Sequence, residues 1–337
     1  MYNILKPLLF SFNPEQAHKI AMNSAKMCLT LPFGRQALRI MAGKADDDPV
    51  ELFGIKFKNR VGLAAGFDKN GHYIQVLEQF GFGHIEVGTV TPRPQPGNPQ
   101  PRLFRLQADK ALINRMGFNN LGVHQLAERL RQLPPDRPVI GGNIGKNKDT
   151  ANEDAWKDYL YCFRQLHSLV DYFTVNLSSP NTPGLRALQE KEPLIRILSG
   201  IQEYNKGLAD PRPVLLKISP DNEVAVLDDI IEVARQCELS GLIATNTTVD
   251  RAGLSISPAE LEMIGAGGLS GQPLKQRSLN VVRYLRSHIP AEIKIIGVGG
   301  ISGHDDYENM ADAGAALVQL YTAFIYQGPG IVKNIIS

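Results

Sequence analysis

Cysteine is scarce in this sequence. The 337 residues hold Cys28, Cys162 and Cys237, isolated and odd in number. That excludes a disulfide framework and a CxxC metal or iron–sulfur site, and it suits a reducing compartment. No apolar run reaches the roughly 18 residues that a membrane span needs. The histidines (His18, His72, His84, His124, His167, His288 and His304) show no HExxH or comparable spacing, so no metal is expected. Charge of one sign is lacking too. Lys plus Arg is 36 and Asp plus Glu is 34, which leaves +2 and no nucleic-acid footprint. What is present is ample for a large core, with 43% hydrophobic residues. The length allows two domains of ~150 residues, or one α/β barrel of ~250.

The neutral total hides an asymmetry. Residues 1–45 carry Lys6, Lys19, Lys26, Arg35, Arg39 and Lys44 against Glu15 alone, a net +5, and the remainder is −3. Pro7 interrupts the apolar start, and Leu8–Phe12 is too short for the apolar part of a signal peptide. After Asn13-Pro14, residues 15–31 have helical spacing, with Ala17, Ile20, Ala21, Ser24, Cys28 and Leu31 on one face. Phe33, Ala37, Ile40 and Met41 mark a second short helix, and the charged linker Lys44–Pro49 follows. Such helices either lie on an anionic bilayer or pack on the main domain, and periodicity slightly favours packing.

The body reads as eight strands: Val61–Ala65, His84–Val90, Val139–Ile144, Tyr172–Leu177, Val214–Ile218, Leu242–Asn246, Ile293–Val298 and Leu317–Tyr321. Most are near-continuous apolar runs, as in strands buried on both faces. Helical segments alternate with them, around 70–80, 121–133, 152–169, 190–207, 222–238, 274–288, 304–313 and 323–336. Eight such units predict a closed parallel (β/α)8 barrel, with Leu52–Phe57 as a hairpin plugging its N-terminal face. An open doubly wound sheet is the alternative, but no GxGxxG follows the first strand.

A barrel gathers its active site at the C-terminal ends of its strands. Those ends read Ala65–Lys69, Thr89, Asn143, Asn176, Lys217, Thr245–Thr247, Gly297–Gly300 and Tyr321-Thr322. They hold no carboxylate pair and no histidine, which argues against glycosidase chemistry. The glycines after strand seven suit a phosphate, which needs close backbone approach. Gly265–Gly271 is a lid, more of that cradle, or a linker. Lys217 suits a Schiff base or a cation beside an electron-rich cofactor, and less well a solvated strand end. Lys69 poses the same choice, or simply pairs with Asp68. The loop Asn176–Gly184 is uncharged, holds two prolines and is a lid candidate. Its serines lack a histidine partner and a GxSxG elbow, so a hydrolase triad is not expected. A serine there either accepts a proton that a relay drains, or makes only turn hydrogen bonds. The amides Asn114, Asn143, Asn176, Asn181 and Asn246 suit a flat ligand with alternating N–H and C=O groups.

Taken together, nine stretches resemble one family. They are Gly62–Gly71 (GLAAGFDKNG), Gly88–Leu106 (GTVTPRPQPGNPQPRLFRL), Ile113–Gly122 (INRMGFNNLG), Asn143–Lys148 (NIGKNK), Asn176–Gly184 (NLSSPNTPG), Ile243–Thr248 (IATNTT), Gly267–Leu274 (GGLSGQPL), Ile296–Ile301 (IGVGGI) and Val318–Tyr321 (VQLY). The chain resembles the dihydroorotate dehydrogenases of the membrane-associated, quinone-linked class. This implies an FMN-containing barrel that oxidises dihydroorotate to orotate in pyrimidine synthesis and passes electrons to a membrane quinone. By resemblance, Ser179 is the base that takes the C5 proton, while a hydride leaves C6 for the flavin. Sister classes place cysteine there, so the serine supports the quinone-linked class. Thr182 and Phe118 match positions that shape the proton's exit.

The resemblance also assigns the pocket. Lys69, Asn114, Asn176, Asn181 and Asn246 match the orotate-binding set, with Arg115, Met116, Gly117, Phe118 and Thr247 beside them. Ala65, Gly66, Lys69, Thr89, Asn143, Asn176, Lys217 and Thr245 match FMN contacts, with Gly271, Gly300, Tyr321 and Thr322 toward the phosphate. Residues 1–45 match a helical lobe whose apolar tunnel admits the quinone past His18, Arg105 and Tyr321, and residues 46–337 match the barrel. The implied setting is peripheral, on an anionic lipid surface at the cytoplasmic face of a bacterial inner membrane. Neither a metal nor a nucleic acid is expected as a partner.

Overall fold

The computed structural model describes residues 2–46, 48–182 and 184–337. Met1, Asp47 of the charged linker and Pro183 of the long loop lie outside the described residues. Eight parallel strands close into a barrel in which each pairs with the next in sequence: β1 (Val61–Leu63), β2 (His84–Val90), β3 (Val139–Ile144), β4 (Tyr172–Asn176), β5 (Val214–Ile218), β6 (Gly241–Ala244), β7 (Lys294–Val298) and β8 (Leu317–Leu320). β8 returns to β1 through Val318, Gln319 and Leu320. Every residue of β1, β2, β4, β5, β6 and β8 is buried, which is why those strands read as continuous runs. The predicted ends run long by one to two residues at β1, β4, β6 and β8, because the extra residues turn out of the ladder to form the mouth.

Side chains alternate along a strand, so every second residue points inward. The lower barrel is filled by Tyr172, Leu215, Ile243, Ile296 and Leu317, capped by Phe57. Phe57 belongs to the hairpin of Val50–Leu52 and Ile55–Phe57, so the plug expected from the sequence is present. Bulky His84 and Tyr172 fit because of two glycines. A Cβ on Gly62 would lie 2.1 Å from the His84 ring, and one on Gly141 would lie 2.2 Å from the Tyr172 ring. Above this layer the interior turns polar, with Glu86, Asn143, Thr174, Asn176, Lys217 and Gln319 all buried.

Two additions went unforeseen. Leu103–Leu106, Ala111–Asn114 and Gly268–Gly271 form a three-stranded antiparallel sheet over the barrel mouth. It joins the excursion after β2 to the one after β6, so Gly265–Gly271 is neither a free lid nor a linker. A further helix, Pro258–Ile264, opens with a reciprocal Ser257–Glu260 capping box. The expected last helix is divided into Thr322–Gln327 and Ile331–Ile336 at Gly328, whose φ is +79°.

The N-terminal segment folds as three helices: α1 (Tyr2–Ser11), α2 (Pro14–Cys28) and α3 (Gly34–Ala42). α1 continues through Pro7. Its tertiary contacts offset the hydrogen bond that proline removes. Tyr2 donates to Ile325 O at 2.5 Å, and Phe10 packs edge-on against Tyr326. α2 starts where Asn13 Oδ1 accepts from Glu15 N, with Pro14 at the first position. It stops three residues before the expected end, where Thr30 and Leu31 turn back on Met27 and Cys28. The buried face also differs from the expected one. Ala17, Met22, Leu38 and Ala42 are buried, whereas Ile20, Met27, Leu31, Phe33 and Ile40 stay exposed. Burying Met22 and Leu38 contributes about 1.5–3 kcal/mol each. The segment therefore packs on the barrel with one face and leaves a second apolar face uncovered.

Candidate functional site

A cavity of about 650 Å³ opens at the C-terminal mouth of the barrel. The strand tips supply its floor and the small antiparallel sheet roofs it. Of the residues singled out from sequence, Ala65, Gly66, Lys69, Thr89, Asn114, Met116, Gly117, Phe118, Asn176, Ser179, Asn181, Lys217, Thr245, Asn246, Thr247, Gly271, Gly300, Tyr321 and Thr322 all line it. Asn143 does not reach the surface. It lies directly behind, fully buried, and its Oδ1 accepts from Thr89 Oγ1 and Asn176 Nδ2. The structure does not bring the Arg115 side chain to the cavity. Its guanidinium donates outward to Pro101 O and Ile264 O.

The amides form one connected set. Asn181 Nδ2 donates to Asn114 Oδ1 at 2.9 Å, and Asn246 Nδ2 donates to Ser178 Oγ at 3.0 Å and Asn176 Oδ1 at 3.3 Å. Strand register places Asn176 beside Lys217. Ser179 is buried, and its Oγ accepts from Asn181 N at 3.3 Å. Three residues along, Thr182 Oγ1 is buried with no hydrogen-bond partner. Phe118 walls this region with φ at +53°, and a Cβ on Gly145 would crowd its ring at 3.1 Å.

Burial pushes the Lys217 ammonium below its ordinary pKa, and the nearby charge of Glu86 opposes that shift. Lys69 is lowered as well, to about 7, through burial and then the charge of Arg102, against the pull of Glu15. Lys69 does not pair with Asp68. That carboxyl turns away to accept from His72 N and Tyr73 N, and burial raises it to about 6. Lys69 instead donates to Asn119 Oδ1, a partner the sequence did not suggest.

A second, more apolar cavity of about 1020 Å³ lies between α1, α2, α3 and the barrel. Both cavities share Gly66, Lys69, Met116 and Tyr321 as walls. His18 lines the second one, edge-on to Phe67 at 4.6 Å between ring centroids. Burial and then Lys69 lower its pKa to about 4, so the ring is neutral near pH 7. Arg105 stands at the rim, where it donates to Phe10 O and Phe12 O, the last carbonyls of α1 and its exit. Tyr321 faces both spaces, and burial pushes its hydroxyl up to about 12.

The family profile for dihydroorotate dehydrogenase matches residues 49–337. The chain belongs to the dihydroorotate dehydrogenase family. A relative from Christiangramia forsetii, named dihydroorotate dehydrogenase (quinone), is 49% identical over 334 residues, covering 99% of this chain and 96% of its own length. One of the same name from Akkermansia muciniphila is 45% identical and covers 100% and 95%. Among solved structures, an Eimeria tenella dihydroorotate dehydrogenase in complex with ferulenol superposes with a TM-score of 0.86 at 36% identity, covering 98% of this chain and 93% of its own.

The resemblance gave no role to some of this cavity's walls. Ser270, Gln272, Gly299, Ser302 and Gln319 also line it. Gln319 was legible only as an inward position on β8, and Ser270 only once the roofing sheet is known. Among the described residues, no group of three or more His, Cys, Asp or Glu is placed to hold a metal ion.

Proposed function

We propose that the two cavities serve the two halves of one oxidation, and that their shared wall carries this reading. The chain is a quinone-dependent dihydroorotate dehydrogenase, a flavin-dependent oxidoreductase of pyrimidine biosynthesis. It oxidises dihydroorotate to orotate and passes the electrons to a quinone. We assign the flavin as FMN.

The residues of the barrel mouth fit that group. Thr89, Asn176, Lys217 and the unpartnered Gln319 Oε1 offer the mixed donors and acceptors that a flat ring with N–H and C=O edges needs. Gly299 and Gly300, with φ of +128° and +73°, and the paired hydroxyls of Ser270 and Thr322 suit a phosphate. Ala65, Gly66, Thr245, Gly271 and Tyr321 would complete its surroundings. When bound, the flavin supplies the hydride acceptor. Lys217 would offset negative charge beside it.

The protein's own groups handle the proton. Ser179 Oγ is the assigned base for the C5 proton, and Asn181 N–H fixes the hydroxyl's position. Thr182 Oγ1 is free to take the proton onward, with Phe118 shielding the route. Lys69, Asn114, Asn176, Asn181 and Asn246 would hold the substrate, with Met116, Gly117 and Thr247 closing around it. Arg115 would act there through its backbone, since Asn98 ties its carbonyl to that of Asn181. Lys69 would face the substrate carboxylate.

The quinone would enter through the second cavity, past His18 and Arg105, to reach Tyr321. We place the division between lobe and barrel at residue 45. No helix among the described residues is long and apolar enough to cross a membrane. The exposed apolar side chains of the lobe and its +5 charge support a peripheral seat on an anionic lipid surface, at the cytoplasmic face of a bacterial inner membrane. Anaerobic mixing with dihydroorotate tests the assignment. The bound flavin should bleach, then recover with a short-chain quinone but not with fumarate or NAD. Recovery with fumarate or NAD alone would overturn the class.

A further inference from the structure

Glu86 is fully buried on β2, and the reaction as described makes no use of it. Four donors converge on its two oxygens. Asn143 Nδ2 reaches Oε1 at 2.7 Å, while Gln319 Nε2, Thr174 Oγ1 and Tyr172 OH reach Oε2 at 2.8, 3.1 and 3.4 Å. A carboxylate that receives hydrogens at both oxygens only accepts. The Asn143 amide must then turn its N–H toward Glu86 and its oxygen toward the cavity floor. That oxygen takes the hydrogens of Thr89 Oγ1 and Asn176 Nδ2. The oxygen of Asn176 is left to receive Asn246 Nδ2 and Ser178 Oγ, each at 3.3 Å. Every link donates toward Glu86, and the chain ends one residue before Ser179.

At the upper end backbone N–H groups pin the amides, Ser178 N donating to Asn176 Oδ1 at 3.4 Å and Thr247 N to Asn246 Oδ1 at 2.8 Å. The side chains of Asn143 and Thr89 have only side-chain partners, so by themselves they have two orientations. A group that only accepts, placed at one end, removes that choice. We propose that Glu86 is a positioning residue that fixes the hydrogen-bond polarity of the cavity floor through Asn143. The proposal rests on the reading of Asn176 and Asn246 as ligand-binding residues. A buried network specified at both ends, by backbone N–H groups above and by Glu86 below, costs no reorientation when the ligand arrives.

The test uses the flavin-loaded protein and reads orotate binding from the shift it causes in the flavin's visible spectrum. Glu86→Gln keeps the shape but lets Asn143 turn over and set its amide N–H against that of Asn176. It should retain flavin and weaken orotate binding by about tenfold, the worth of roughly one mispaired hydrogen bond. The double variant Glu86→Gln with Asn143→Asp moves the acceptor-only group one link up. The amide introduced on β2 would then donate to the carboxylate introduced on β3, and Thr89 and Asn176 would keep their orientation. Orotate binding should recover to within about threefold of the parent. Unchanged binding in the single variant overturns the proposal, as does a folded, flavin-loaded double variant that does not recover. Failure of both variants to fold with flavin also overturns it, because the role of Glu86 would then be barrel assembly. A parent protein that binds neither flavin nor orotate would overturn the functional reading beneath it instead.

Discussion

Ser179 and Lys69 are tested by different measurements. Ser179→Ala should keep its flavin and reduce it about 10²–10⁴-fold more slowly, the usual worth of a positioned base. Stopped-flow absorbance under anaerobic conditions measures this, and an unchanged rate would remove Ser179 from the role. Lys69 has its pKa brought down to about 7 by burial, so it loses its charge as pH rises through neutrality. A carboxylate ligand favours the protonated form. Orotate affinity should therefore fall between pH 7 and 9, and Lys69→Gln should flatten that dependence. Of the two, Ser179 was named from sequence only by resemblance, since two serines in a turn-rich loop look alike. The tuning of Lys69 was not legible, because it comes first from burial and then from Arg102, against the pull of Glu15, and only the fold brings these together.

Among the elements, α2 is held by one contact out of proportion to its size. Glu15 meets the Arg102 guanidinium twice, at 2.9 and 3.0 Å, with the two side chains 15% and 9% exposed. Desolvation pushes the Glu15 carboxyl up, but the hydrogen bonds and charge of Arg102 outweigh it and leave its pKa below the ordinary value of 4.5. A lowered carboxylate pKa stabilises above the unfolded value and is lost as pH falls through the folded one. The docking of α2 should thus hold at neutral pH and be lost only as the pH falls below 4.5 and through the lowered pKa of Glu15. Glu15→Gln should loosen the lobe by about 3 kcal/mol locally. Limited proteolysis within residues 12–34 would show it, and resistance equal to the parent would refute it. The eight barrel strands were readable because each is buried on both faces. The roofing sheet was not, because its strands are four residues long and its third member is separated from the others by more than 150 residues. The buried face of α2 was misjudged for a related reason. Ile20 and Leu31 look like core by spacing, yet nothing in the described structure covers them.

Over the whole molecule, the near-neutral charge proves to be a sum of two unlike parts. Deleting residues 1–45 should spare flavin reduction by dihydroorotate, since none of the groups assigned to that step lies there. Turnover with a long-chain quinone and sedimentation with anionic vesicles should both fall sharply. Equal vesicle binding by the shortened protein would mean that the basic segment is ordinary surface. The deletion also uncovers Met22 and Leu38's resting place on the barrel, so circular dichroism should accompany it.

Gly66, Lys69, Met116 and Tyr321 form a partition with a different doorway on each side. A compound lodged among the N-terminal helices does not contend with dihydroorotate for room. Raising the concentration of dihydroorotate would therefore not expel it, and inhibition at the apolar doorway would persist at saturating substrate.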